Sequence, residues 1–147
     1  MARTYRQVTS VQVKALNSLF FLQLFVGIFF LLLGIYGIVP SIQESVFSLW
    51  DNNRPLEIGF GIFELCSSLV LLASLIMFTR QRLLYLASII IFIFWGARIA
   101  ISKFIIGITL SRGQLYFAGG FYNWFLVLIV ELVILMAIYN IAKRYRG

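Results

Sequence analysis

The chain has 147 residues, of which 62% are hydrophobic and only 12% charged, and its mean hydropathy is +1.00. A soluble domain carries about 25% charged residues, so this composition excludes an ordinary water-soluble fold and assigns the chain to lipid. The net charge of +7 does not point to nucleic acid, because the basic residues gather at the ends of apolar segments rather than on one face.

Four apolar stretches follow one another, at about 15–39, 56–78, 83–106 and 121–142. Each supplies the roughly 20 helical residues that a hydrocarbon core about 30 Å thick requires. The pattern predicts an all-α membrane protein made of one domain over residues 1–147, a bundle of four transmembrane helices. Eight of the twelve Lys and Arg lie before the first span, in the turn between the second and third, and after the fourth: Arg3, Arg6, Lys14, Arg80, Arg82, Lys143, Arg144 and Arg146. Arg54 and Arg112 face them from the opposite loops. The positive-inside rule then puts both termini in the cytoplasm, and the chain is expected to be a multi-pass protein of the cell's inner (cytoplasmic) membrane.

Residues 1–14 mix basic residues with Tyr5, Val8, Val11 and Val13 and are expected to lie against the inner leaflet. The apolar run after them is too long for a signal-peptide core, and no small-residue cleavage pattern follows before Pro40. In the first span Gln23, Gly27 and Gly34 share one face. Small residues there admit a neighbouring backbone, and Gln23 offers an interhelical hydrogen bond.

Ser41, Ile42, Gln43 and Glu44 read as a capping box. The apolar spacing of Ile42, Val46, Leu49 and Trp50 predicts a short interfacial helix over 41–50, anchored by Trp50. Pro55 suits the first turn of the second span. Four residues, Thr79 to Arg82, join the second and third spans and predict a tight antiparallel hairpin of helices. On the third span Gly96 and Ala100 form a small-xxx-small pair suited to another helix. The segment 107–120 is expected to be a flexible outer loop, rimmed by an aromatic belt in which Tyr116, Tyr122 and Trp124 act as interface anchors.

Three ionisable residues, Glu64, Arg98 and Glu131, fall deep inside the spans, where charge is expensive and faces protein or a polar cavity. Glu64 and Arg98 lie at similar depth on neighbouring helices, which predicts an ion pair. One Arg neutralises one carboxylate only. Glu131 is therefore expected to be protonated, to share the same cluster, or to meet a partner subunit, and its apolar neighbours favour contact outside the chain. Lys103 is expected to snorkel to the interface. The segments Ile62-Phe63-Glu64-Leu65 and Ile129-Val130-Glu131-Leu132 echo each other on helices that run in the same direction, as in a parallel two-helix repeat.

Catalytic constellations are missing. There is no His for haem or metal ligation, and Cys66 is the only cysteine, which excludes an intrachain disulfide or a dithiol cycle. No motif implies a cofactor, although a quinone or lipid near Glu64 and Arg98 stays open.

The stretch Gly61 to Arg98 resembles the DoxX-like family of small four-helix membrane proteins. The Gly-x-x-Glu-Leu pattern of that family's second helix is matched by Gly61-Ile62-Phe63-Glu64-Leu65, and Thr79-Arg80 matches the small polar residue and Arg at its turn. The first helix lacks the Arg often found in the family, and no His follows the third helix. The resemblance implies a four-helix bundle, sometimes associated with membrane oxidoreductase complexes. From the membrane-embedded composition and the missing catalytic constellations, taken together with this resemblance, three functions are expected, in this order. The first is a non-catalytic accessory or scaffold subunit meeting membrane lipids and other integral subunits. The second is an oxidoreductase subunit holding a lipophile near Glu64 and Arg98, and the third a small transporter using the same pocket.

Overall fold

A computed structural model describes residues 2–39, 47, 53–77 and 80–146, with side chains from Ser18 onward. Helix α1 spans Ala2–Ile38, α2 spans Arg54–Ile76, α3 spans Gln81–Ile99 and α4 spans Phe121–Arg144. The third helix continues as a π-helical turn over Ala100–Ile105, and strands β1 (Ile108–Ser111) and β2 (Gln114–Phe117) then form an antiparallel hairpin. Among the described residues, four helical segments are long and apolar enough to cross a membrane: Ser18–Ile38, Arg54–Ile76, Gln81–Ile105 and Phe121–Arg144. These are the four expected spans, shifted by one to three residues at most ends.

The 37 residues of α1 form one unbroken helix, about 55 Å long. The basic N-terminal residues are therefore a continuation of the first span rather than a separate segment. The expected interfacial helix at 41–50 and its anchor Trp50 lie outside the described residues, apart from Phe47, which sits at a turn. Helix α2 starts as its sequence prescribes. The Asn53 side chain accepts a hydrogen bond from the Leu56 N–H, and Pro55 occupies the first turn. Arg54 reaches back across the connection, its Nη2 donating to the Ile38 carbonyl at 2.7 Å, which satisfies an orphan acceptor at the end of α1.

Close backbone approach is concentrated between α1 and α2, which pack antiparallel. A Cβ on Gly34 would stand 2.5 Å from the Leu65 side chain and 2.8 Å from the Gly61 carbonyl, and a Cβ on Gly37 would stand 2.9 Å from Gly61 Cα. Gly27 meets Leu72 in the same way. Helices α3 and α4 form the second well-packed antiparallel pair, and α2 and α3 touch only sparsely. The tight hairpin expected from the short α2–α3 connection is thus not the closest pair. The physical reason is side-chain size, which sets how near two helix axes come. Between α2 and α3 the space is filled by Phe63 stacked on Phe94, with ring centroids 3.6 Å apart, and by Phe60 edge-on to Phe94.

The apolar core runs through the middle of the bundle: Val26, Phe30 and Leu33 from α1, Leu71 from α2, Ile91, Trp95 and Ile99 from α3, and Ile138 and Ile141 from α4. The Trp95 ring meets Phe30 and Phe29 edge-on, at 5.1 and 6.0 Å. The outer surface is apolar as well, including Phe21, Phe25, Leu32, Leu69, Ile93, Phe104 and Val133, as expected of helices solvated by lipid on one side and by each other on the other.

Segment 107–120 is an ordered hairpin rather than a flexible loop. Ile108 pairs with Phe117, Thr109 with Tyr116, Leu110 with Leu115 and Ser111 with Gln114. Its two-residue turn is Arg112-Gly113, with φ of 52° and 76°, the left-handed pair that matches the twist of the flanking strands.

Candidate functional site: a buried four-charge cluster

Glu64 is delivered by the inward face of α2, which also buries Phe60, Gly61, Ser67 and Ser68. Arg98 comes from the last turn of α3 and Glu131 from the middle of α4. All three are buried, with Glu131 fully excluded from solvent. Arg98 Nε stands 2.9 Å from Glu64 Oε1, and its Nη1 donates to Glu131 Oε1 at 3.3 Å. Its Nη2 donates to the Phe47 carbonyl at 2.7 Å, and its guanidinium lies 4.7 Å from the centre of the Trp95 ring. One side chain thus links α2, α4 and the segment between α1 and α2. The expected Glu64–Arg98 pair is present. Glu131 takes the shared-cluster arrangement and does not face outward.

A fourth charge completes the group. Lys103 is buried, and its Nζ lies 3.9 Å from Glu131 Oε2. It does not snorkel away from the cluster as expected. In an ordinary α-helix, residues five apart point to different sides. Between Ala100 and Ile105 the chain instead winds as a π-helix, closed by the Ile106 N–H donating to the Ile101 carbonyl five residues back at 3.0 Å. That winding returns Lys103 to the face that carries Arg98. The turn ends at Ile105, and two residues on, at Gly107, a Cβ would lie 2.7 Å from the carbonyls of Ser102 and Lys103. Two carboxylates and two cations make the group neutral.

Trp side chains brace the cluster from both sides. Trp95 Nε1 donates to the Glu131 carbonyl at 3.1 Å, and Trp124 Nε1 donates to the Lys103 carbonyl at 3.1 Å. Trp124 is therefore a buried bundle residue, and the expectation that it anchors the chain at the outer interface is corrected. Tyr116 and Tyr122 do lie on the surface, 52% and 88% exposed.

A second polar layer sits about 15 Å further along the bundle, counting ten residues from Glu64 to Ser74. Gln23 Nε2 donates to the Leu71 carbonyl at 2.9 Å and to Ser74 Oγ at 2.6 Å, and Gln23 Oε1 accepts from Tyr145 Oη at 2.7 Å. These bonds join α1 and α2 to the residue that ends α4. Between the two layers lies the apolar core of Phe30, Leu71, Ile91, Trp95 and Ile138.

The expected packing residues are accordingly spent within the chain. Gln23, Gly27 and Gly34 serve the α1–α2 interface. Gly96 faces Leu135 of α4 at a relaxed 4.0 Å, and Ala100 is exposed at the start of the π turn, so the two do not form one close-packed face. Sequence reasoning missed Lys103, Ser74 and Tyr145 as interior partners. Lys103 carried a usable signal, because two buried carboxylates and one Arg leave one negative charge over, and Lys103 is the one other cation inside a span. Among the described residues no three His, Cys, Asp or Glu side chains converge as a metal would require, and Cys66 lies exposed on α2. No family model matches the chain, and no curated protein or solved structure matches it.

Proposed function

We propose that the protein is a non-catalytic accessory or scaffold subunit of a larger membrane complex, in a bacterial inner membrane with both termini in the cytoplasm. The observation that carries this reading is the self-neutralising cluster. Glu64 and Glu131 are matched by Arg98 and Lys103 within the same chain, so its interior charge is committed to holding helices in register. A buried ion pair of this kind adds little net stability, and its best-attested use is to specify one packing over others. Since Glu131 and the Gly27/Gly34 face are used internally, a partner subunit would meet the exposed row Phe21, Phe25, Ile28 and Leu32 on α1. The orientation rests on the distribution of Lys and Arg.

A second reading is a DoxX-like oxidoreductase subunit, or a small transporter, holding a quinone-like lipophile beside Glu64 and Arg98. It is favoured by the Gly61-x-x-Glu64-Leu65 pattern. It is favoured also by Ser68, fully buried one turn from Glu64, whose Oγ has no hydrogen-bond partner among the described residues.

Native mass spectrometry of the tagged protein, extracted from its own membranes in mild detergent, separates the two. Stoichiometric partner chains are the expected result. Recovery alone, with a quinone-sized adduct that disappears in Glu64→Gln, would replace the first reading with the second.

A further inference from the structure

We propose that the β1–β2 hairpin is a lipid-surface element: one face rests on the acyl-chain boundary of the bilayer at that end of the bundle, with Arg112 reaching the phosphate headgroups. The strand register divides the hairpin into two unlike faces. Because side chains alternate along a strand, the paired residues Ile108/Phe117 and Leu110/Leu115 share one face, and Thr109/Tyr116 and Ser111/Gln114 share the other.

The base of the apolar face is docked on the bundle. Phe117 packs on Phe121 and Trp124 of α4, with ring centroids 5.1 Å away in each case. The rest of that face overhangs. Leu110 and Leu115, directly opposite each other, are 74% and 62% exposed. The other face is polar and self-bonded, with Tyr116 Oη donating to Gln114 Oε1 at 3.3 Å.

Two observations select lipid as the occupant. Phe117, on the same face as the exposed leucines, joins that face to the exposed aromatic surface of the first turns of α4, formed by Phe121, Tyr122 and Phe125. That surface belongs to a helix of spanning length and hydropathy. In addition, Arg112 is the sole charged residue of segment 107–120, stands at the exposed tip, and has the sign that complements a lipid phosphate. An amphipathic element with an apolar face and a basic edge at the end of a membrane helix lies in the interface plane.

The test places single cysteines on the two faces, Leu115→Cys or Thr109→Cys, in a Cys66→Ser background. Each is labelled with an environment-sensitive fluorophore and reconstituted in phosphatidylcholine–phosphatidylglycerol vesicles. A shallow nitroxide-labelled phosphatidylcholine is expected to quench the label replacing Leu115 about twofold more than the label replacing Thr109, while aqueous iodide gives the reverse order. Arg112→Asn, which retains a residue tolerant of the left-handed turn, is expected to remove any dependence of that quenching on phosphatidylglycerol content. Equal iodide quenching on both faces would show the hairpin in water and overturn the proposal. Protection of the label replacing Leu115 from both quenchers would show a protein cover, with the same consequence.

Discussion

Lys103 Nζ stands 3.9 Å from Glu131 Oε2 although Lys103 lies five residues beyond Arg98, the other cation that meets Glu131. The π turn makes this contact geometrically accessible, and the charge balance of the interior depends on it. Without Lys103 the cluster would hold two carboxylates against one guanidinium in a site with almost no solvent.

Replacing Lys103 by Met is therefore expected to lower the thermal stability of the purified protein in detergent. Adding Glu131→Gln to that variant should restore most of the loss, because it removes the uncompensated charge. Breaking a buried pair by deleting one partner costs about 3–5 kcal/mol, and the longer Lys103 contact should sit at or below the lower end. Equal melting temperatures for wild type and Lys103→Met would show that the contact carries no energetic weight.

Arg98→Leu removes the hub and leaves two carboxylates facing one lysine. It should destabilise the bundle more than the Arg98→Leu/Glu64→Leu double variant, in which Glu131 and Lys103 remain as a matched pair. A double-mutant cycle read by thermal unfolding measures this coupling, and additive effects would be incompatible with a direct pair.

Gly34→Ala is expected to force α1 from α2, because the new Cβ would stand 2.5 Å from the Leu65 side chain and 2.8 Å from backbone atoms of Gly61 and Leu65. Overpacking of this kind costs about 1–3 kcal/mol. Gly59→Ala, on the same pair of helices, meets nothing within 4 Å. It should be neutral or stabilising by about 0.5–1 kcal/mol through helix propensity. Comparing the two melting temperatures separates packing from propensity.

Gln23→Leu would strip Tyr145 Oη of its 2.7 Å acceptor and Ser74 Oγ of a 2.6 Å donor. Ser74 keeps its bond to the Leu71 carbonyl and Tyr145 is half-buried, so the expected loss is about 1 kcal/mol, the low end of the range for a polar group left unpaired. The Gln23→Leu/Tyr145→Phe pair should lose less than the sum of its single changes, measured by the same unfolding assay.

The parts of the fold that follow from local composition were legible without coordinates. Hydropathy summed over about twenty residues is a property of each segment alone, so four spans could be drawn to within a few residues. Pro55 announced the start of α2 for an equally local reason. The Glu64–Arg98 pair was legible because buried charge requires a partner and both residues lay at one depth. The hairpin was less so. Its turn is Arg112-Gly113, where Asn or Asp before Gly would have been the stronger signal, and the surrounding aromatic residues read equally well as an interface belt.

The sequence by itself determined that this chain partitions into lipid as four helices and that charge is buried among them, because transfer free energies accumulate residue by residue. Only the tertiary structure decided how those charges are matched. Glu131 finds Lys103 through a local change of helical winding that hydropathy does not register. Likewise, α1 rather than α3 is the close neighbour of α2, because glycines on two different helices have to meet before their small size has any consequence. Pairing and packing are relations between distant residues, and they take a definite value only once the backbone has brought those residues together.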